Sequence, residues 1–262
     1  MPAFQEIFSG KKVVFLDLDG TVYLGDVLIP GADRFLEELR RHHYPHYFLS
    51  NNSSRSKEDY VKKLSGLGIP AEKEQIILSS DGVIAFLLSK KTENLYIVGT
   101  ESMKRMFAEN GFVFDSPVPD FIILGYDTEL TYDKLKRAAL HMLDGVPLIA
   151  THCDLVCPTP EGPIPDVGSM LALFEKATGK GACKIFGKPN PEMIGHILLK
   201  HGAAPREAVM IGDRLYTDME LAGRVGCEFI LVLSGETTNE DLEKNGSKPR
   251  FIFEKIGDIL KV

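Results

Sequence analysis

The apolar run Val13-Val14-Phe15-Leu16 stops abruptly on Asp17-Leu18-Asp19-Gly20-Thr21, and no other feature of the sequence constrains the fold as much. The run has strand character. Ending it on two carboxylates and a glycine puts charged groups where loops, not packing, decide which side chains are present. In open α/β sheets that place is the ligand crevice outside the carboxyl ends of the strands. A period of two points Asp17 and Asp19 to the same side of an extended chain. Carboxylates that close repel unless a cation lies between them or one takes a proton. The motif therefore calls for a divalent metal, an acid/base division of labour, or both. Taken alone, local turn chemistry would also account for an aspartate-rich turn.

Beyond it, Pro30-Gly31 opens a helical pattern with Phe35, Leu36 and Leu39 on one face, and Pro45-His46-Tyr47-Phe48-Leu49 reads as a second strand ending on Ser50-Asn51-Asn52. Helices are predicted over 57–67 and 81–88, the first ended by Gly68-Ile69-Pro70. A further αβ set follows, with strands over 95–98, 121–125 and 148–150 and helices over 102–109, 132–143 and 169–177. Gly179-Lys180-Gly181 reads as a linker, after which strand and helix alternate again. His42, His43 and His46 read as helix-end and surface residues.

The composition is that of an ordinary globular chain of one or two domains, with 44% hydrophobic and 26% charged residues in 262. A net charge of -7 argues against a nucleic-acid surface, which normally shows a basic stripe. No apolar stretch approaches the roughly 18 residues of a membrane span, and the N-terminus lacks a basic segment followed by an apolar core. No membrane partner is expected, and the cytoplasm is the default location. Cys153, Cys157, Cys183 and Cys227 are too few and too irregular for a disulfide framework. His152-Cys153-x-x-x-Cys157 lacks the second ligand pair of a structural zinc site, so buried or loop thiols are the expectation.

Four segments in order, Asp17-x-Asp19-Gly20-Thr21, Ser50-Asn51-Asn52, Gly187-Lys188-Pro189-Asn190-Pro191 and Gly212-Asp213-Arg214-Leu215-Tyr216-Thr217-Asp218, resemble the four motifs of the haloacid dehalogenase superfamily. About 140 residues separate Ser50 from Lys188, too many for a loop in a compact domain. The resemblance implies a Rossmann-like α/β core with a parallel sheet, formed by 1–80 and 182–262, and an αβ cap domain over 81–181 inserted between motifs two and three. Asp19-Gly20-Thr21-Val22-Tyr23-x-Gly25, Ile29-Pro30-Gly31-Ala32, Ser50-Asn51-Asn52-Ser53-Ser54-Arg55 and Gly168-Ser169-Met170 extend it to the NagD-like, p-nitrophenylphosphatase-like branch over nearly the whole chain.

Carried onto these positions, the family implies a phosphatase acting on a small phosphorylated metabolite. Asp17 would attack phosphorus and form an aspartyl-phosphate, and Asp19 would serve as acid and then base. Ser50, the backbone N–H of Asn51 and Lys188 would hold the phosphoryl oxygens. Mg²⁺ would take the Asp17 carboxylate, the Asp19 carbonyl and the Asp213 carboxylate. Gly20 would keep the turn clear for substrate, Thr21 would bond locally, and Asp218 would support the site through a hydrogen bond or Lys188. The cap segment 152–168, Pro/Gly-rich and a looser match, would select the substrate. A phosphomutase would use the same intermediate but usually carries a different cap position, and dehalogenases lack the second aspartate present here as Asp19. A non-catalytic metal- or phosphate-binding module would not need the full set of turnover groups. A dinucleotide-binding protein is disfavoured because no G-x-G-x-x-G follows the first strand.

Overall fold

Val13–Asp17 lies within a six-stranded sheet, between Ala208–Gly212 on one side and His46–Ser50 on the other. Glu228–Val232 and Phe251–Phe253 continue the sheet beyond Ala208–Gly212, and Ile76–Leu78 closes the opposite edge. Neighbours are parallel from Phe251–Phe253 through His46–Ser50. Strands buried on both faces carry no polar alternation, and Val13–Asp17, His46–Ser50 and Ala208–Gly212 are buried throughout. Phe15, Leu49, Met210 and Leu231 pack with Ile194 and Ile197 in one core. Register fixes the site. Leu16 pairs with Ile211 and Asp17 with Leu49, so Asp17, Ser50 and Asp213 all fall at the carboxyl ends of adjacent strands. The strand order reverses on either side of Val13–Asp17, the switch point at which such sheets bind ligands.

The computed structural model describes residues 4–157, 159, 161–244, 246 and 248–261, so Pro158 and Pro160 of the 152–168 segment lie outside the described residues. The chain forms two units, one of 1–50, 61–77 and 188–262 and the other of 51–60 and 78–187. The second has its own parallel sheet, in the order Lys184–Ile185, Leu148–Ala150, Phe121–Leu124, Leu95–Val98. Tyr96, Val98, Ile122 and Leu124 meet Ala138, Met142 and Phe174 in its core. Thr100 and Thr131 cap the helices Glu101–Glu109 and Tyr132–Leu143 by accepting from Met103 N and Lys134 N.

The unit limits differ from the sequence expectation at both ends. Gly179 caps the helix Val167–Thr178 in a left-handed conformation, but the chain then adds Lys184–Ile185 to the second sheet and leaves that unit only after Gly187. Residues 51–60 join it because Thr100 Oγ1 donates to Ser54 O at 2.7 Å, Tyr126 N to Ser53 Oγ at 2.9 Å and Ser102 Oγ to Asp59 Oδ2 at 2.8 Å. His46 is a buried strand residue and not a surface one. None of the four cysteines forms a disulfide, and all are exposed or half-buried. Among the described residues no helix is long and apolar enough to cross a membrane.

Candidate active site

Three carboxylates meet in the first unit. Asp17 ends its strand, Asp213 follows Ala208–Gly212, and Asp218 sits on the π turn Leu215–Met219, a wide turn of a kind frequent at functional sites. One ligand oxygen from each lies within 4.8 Å of the others, and all three residues are buried. Gly212 makes this possible, since a Cβ there would lie 2.4 Å from Asp218 Cγ. Lys188 Nζ bridges Asp17 Oδ1 and Asp218 Oδ1, the latter at 2.7 Å. Asp218 Oδ2 also accepts from Arg214 N at 3.1 Å.

The electrostatics are unbalanced. Three acids face one ammonium, and the Arg214 guanidinium is itself paired with Glu236 at 3.0 Å. Burial pushes Asp17 up to about 7, with Lys188 pulling it back and Asp218 adding to the rise. Asp213 is raised well above the ordinary value, by burial first and then by Asp17 and Asp218. Burial pulls the Lys188 ammonium down, but Asp17 and Asp218 more than offset this and its pKa is raised. Asp213 Oδ2 accepts from Glu236 N at 2.7 Å, whereas its buried Oδ1 has no hydrogen-bond partner. An orphaned, buried carboxylate oxygen in an oxygen-only cluster with surplus negative charge is what a hard divalent cation fits.

Asp19 is exposed on the loop after Asp17, where Gly20 N donates to Tyr23 O at 2.7 Å. Ser50 is buried at the end of its strand. Asn51 opens the second unit, and its side-chain amide donates to both carboxylate oxygens of Asp154, at 3.2 and 3.3 Å. Gly20 has φ +89°, and a Cβ there would meet Asp213 Oδ2 at 2.6 Å, so the space it keeps clear is filled by a carboxylate. The Thr21 hydroxyl does not bond locally as expected, because it is buried with no hydrogen-bond partner.

Sequence reasoning missed Ser234-Gly235-Glu236-Thr237. Glu236 N holds Asp213 Oδ2, Thr237 N donates to Asp213 O at 3.2 Å, and Ser234 Oγ to Gly20 O at 2.6 Å. The signal was there, since the apolar Phe229 to Leu233 stops on a Ser-Gly pair just as the first strand stops on its own motif.

Residues 14–113 match the family model of a haloacid dehalogenase-like hydrolase, and residues 185–259 match a second model described as HAD-hydrolase-like. The crystal structure of a 4-nitrophenylphosphatase from Thermotoga maritima superposes with a TM-score of 0.93 at 40% identity, covering 98% of each chain. An acid sugar phosphatase of Staphylococcus saprophyticus is 29% identical across 95% of this chain and 97% of its own. The 5'-nucleotidase YutF of Bacillus subtilis is 30% identical across 94% of this chain and 96% of its own. With both models in motif order and whole-length relatives of this kind, the chain belongs to the haloacid dehalogenase-like hydrolases, in the branch of NagD and the p-nitrophenylphosphatases.

Proposed function

We propose that this hydrolase cleaves the phosphomonoester of a small metabolite through covalent phosphorylation of Asp17. The observation that carries the reading is the buried cluster in which Lys188 bridges Asp17 and Asp218 beside the unpartnered oxygen of Asp213. Asp17 attacks phosphorus, the ester P–O bond breaks, and the departing alcohol takes its proton from Asp19. Water then gives a proton to Asp19 and attacks the aspartyl-phosphate, freeing phosphate and Asp17. Lys188 neutralises Asp17 and the phosphoryl oxygens, and Asp218 positions the ammonium. Ser50 Oγ and the backbone N–H of Asn51 donate to the same oxygens. Mg²⁺ would be held by the Asp17 and Asp213 carboxylates and the Asp19 carbonyl, and when bound it supplies positive charge against two anions that otherwise repel. The names of the relatives span sugar phosphates, nucleotides and nitrophenyl phosphate, which supports the phosphomonoester class over any one member.

The test is a rapid acid quench with ³²P-labelled substrate and Mg²⁺, together with a phosphate-release screen over sugar phosphates, nucleotides, pyridoxal phosphate and p-nitrophenyl phosphate. Label should reside on Asp17 and be lost on treatment with hydroxylamine. Steady turnover with no labelled protein at any quench time would overturn the covalent route. Transfer of the label to an added alcohol in preference to water would identify a phosphotransferase instead.

A further inference from the structure

The second unit has a polar cluster that the proposed reaction does not use. His152 follows the strand Leu148–Ala150, Asp154 lies two residues on, and Asp166 caps the helix Val167–Thr178. Their exposures are 0%, 3% and 5%, and one ligand atom from each lies within 4.8 Å of the others. His152 Nε2 is 3.0 Å from Asp166 Oδ1. Tetrahedral zinc with bonds of about 2.0 Å sets neighbouring ligand atoms about 3.3 Å apart, so this spacing is close to that of a shared ion.

Each group also has an orienting partner outside the cluster. Thr151 Oγ1 is 2.9 Å from His152 Nδ1, Asn51 Nδ2 donates to Asp154, and Val167 N donates to Asp166 Oδ1 at 2.6 Å. Such outer partners fix ring orientation and ligand geometry in metal sites. Thr151 Oγ1 is also 3.0 Å from Ser53 Oγ, and both hydroxyls can donate or accept. Nδ1 can therefore carry the imidazole proton towards Thr151, and an ion bound at Nε2 would take the place of the proton that Nε2 otherwise donates to Asp166 Oδ1. The frame is rigid, because Gly168 N donates to Asp154 O at 2.8 Å and a Cβ on Gly168 would overlap Cys153 O at 2.4 Å. The helix N-terminus repels a cation, but Asp166, which takes the first N–H, sets a full negative charge between them.

We propose that His152, Asp154 and Asp166 form a second metal site, for a divalent transition ion of the zinc class. One imidazole and two carboxylates make a borderline nitrogen–oxygen set that favours such an ion over Mg²⁺, unlike the oxygen-only cluster of the first unit. The ion ties the loop after Ala150 to the start of the following helix and to the segment that opens with Asn51.

Co²⁺ is the probe, added in stoichiometric amounts to the full chain in excess Mg²⁺. Wild type and Asp17→Asn should both give the intense visible bands of low-coordinate Co²⁺, which Zn²⁺ then bleaches at one equivalent. His152→Gln and Asp154→Asn should lose the bands or need at least tenfold more Co²⁺ to develop them. Only the weak bands of octahedral Co²⁺ in wild type would overturn the site, as would full retention in His152→Gln. If His152→Gln fails to melt cooperatively, Asp154→Asn and the wild-type spectrum decide the matter by the same criteria.

Discussion

Asp17 stays ionisable against the pull of its own burial, and that tension makes it the most informative residue to change. Asp17→Asn removes the proposed nucleophile at almost constant volume, so turnover should fall below about one-thousandth of wild type. Because burial raises the Asp17 pKa to about 7, its charged form costs the fold stability at pH 8. The metal-free variant should melt no lower than wild type there, a stability–activity trade-off; a large drop in melting temperature would mean that the pair with Lys188 outweighs desolvation. Asp19→Asn should hurt alkyl phosphates far more than p-nitrophenyl phosphate, whose leaving group needs little protonation, and equal losses would remove Asp19 as the acid. Gly235 offers a less obvious test. A Cβ there would lie 2.0 Å from Asp213 Oδ2, so Gly235→Ala must displace that carboxylate. The Mg²⁺ concentration for half-maximal activity should rise at least tenfold, about 1.4 kcal/mol of lost binding. An unchanged Mg²⁺ titration would detach Asp213 from metal binding.

At the scale of elements, strands that end on polar residues were legible because the apolar run and the polar stop are adjacent in sequence. The helices expected over 57–67, 81–88, 102–109, 132–143 and 169–177 were legible from periodicity within a residue or two, and Phe35, Leu36 and Leu39 do form the buried face of Ala32–Arg41, whereas Phe4–Phe8 was not foreseen. What stayed hidden was set by contacts distant in sequence. Nothing local says that Glu236 N binds Asp213, that Leu215–Met219 widens into a π turn, or that His46 is enclosed. His46 is 6% exposed, with Nδ1 3.2 Å from Tyr44 O and Nε2 3.2 Å from Gln75 Nε2. The carbonyl requires a proton on Nδ1 and the amide a lone pair on Nε2, so the folded state holds the neutral ring. Burial, and secondarily Arg40, lowers its pKa below the ordinary 6.5. The unfolded chain then takes up the proton first, so stability is full above pH 6.5 and falls as pH drops below it. His46→Gln should flatten the dependence of unfolding free energy on pH between 7.5 and 5, and parallel slopes for the two proteins would assign the acid sensitivity elsewhere.

Over the whole molecule, the unit limits show why an inserted domain was foreseeable and its edges were not. The span between Ser50 and Lys188 announced an insertion by length alone, whereas membership of 51–60 depends on side-chain hydrogen bonds to Thr100, Ser102 and Tyr126 that no local pattern encodes. The chain passes between units at Ser50–Asn51, Tyr60–Val61, Ile77–Leu78 and Gly187–Lys188, the first and last of these within the second and third motifs themselves. Asp17, Asp19, Ser50, Lys188, Asp213 and Asp218 all belong to the first unit, whereas the cluster of His152, Asp154 and Asp166 belongs to the second. If the second unit selects the substrate, changes in its 152–168 segment outside His152, Asp154 and Asp166 should alter preference and leave the Mg²⁺ requirement alone. Leu155 and Ile164 are exposed apolar residues of that segment and outside both carboxylate clusters. Leu155→Ala and Ile164→Ala should each change the ratio of kcat/KM between a sugar phosphate and a nucleotide at least threefold, while the half-saturating Mg²⁺ concentration stays within twofold of wild type. Uniform loss across substrates, or a shift in Mg²⁺ dependence of the same size, would show that the segment acts on the chemistry and not on the choice.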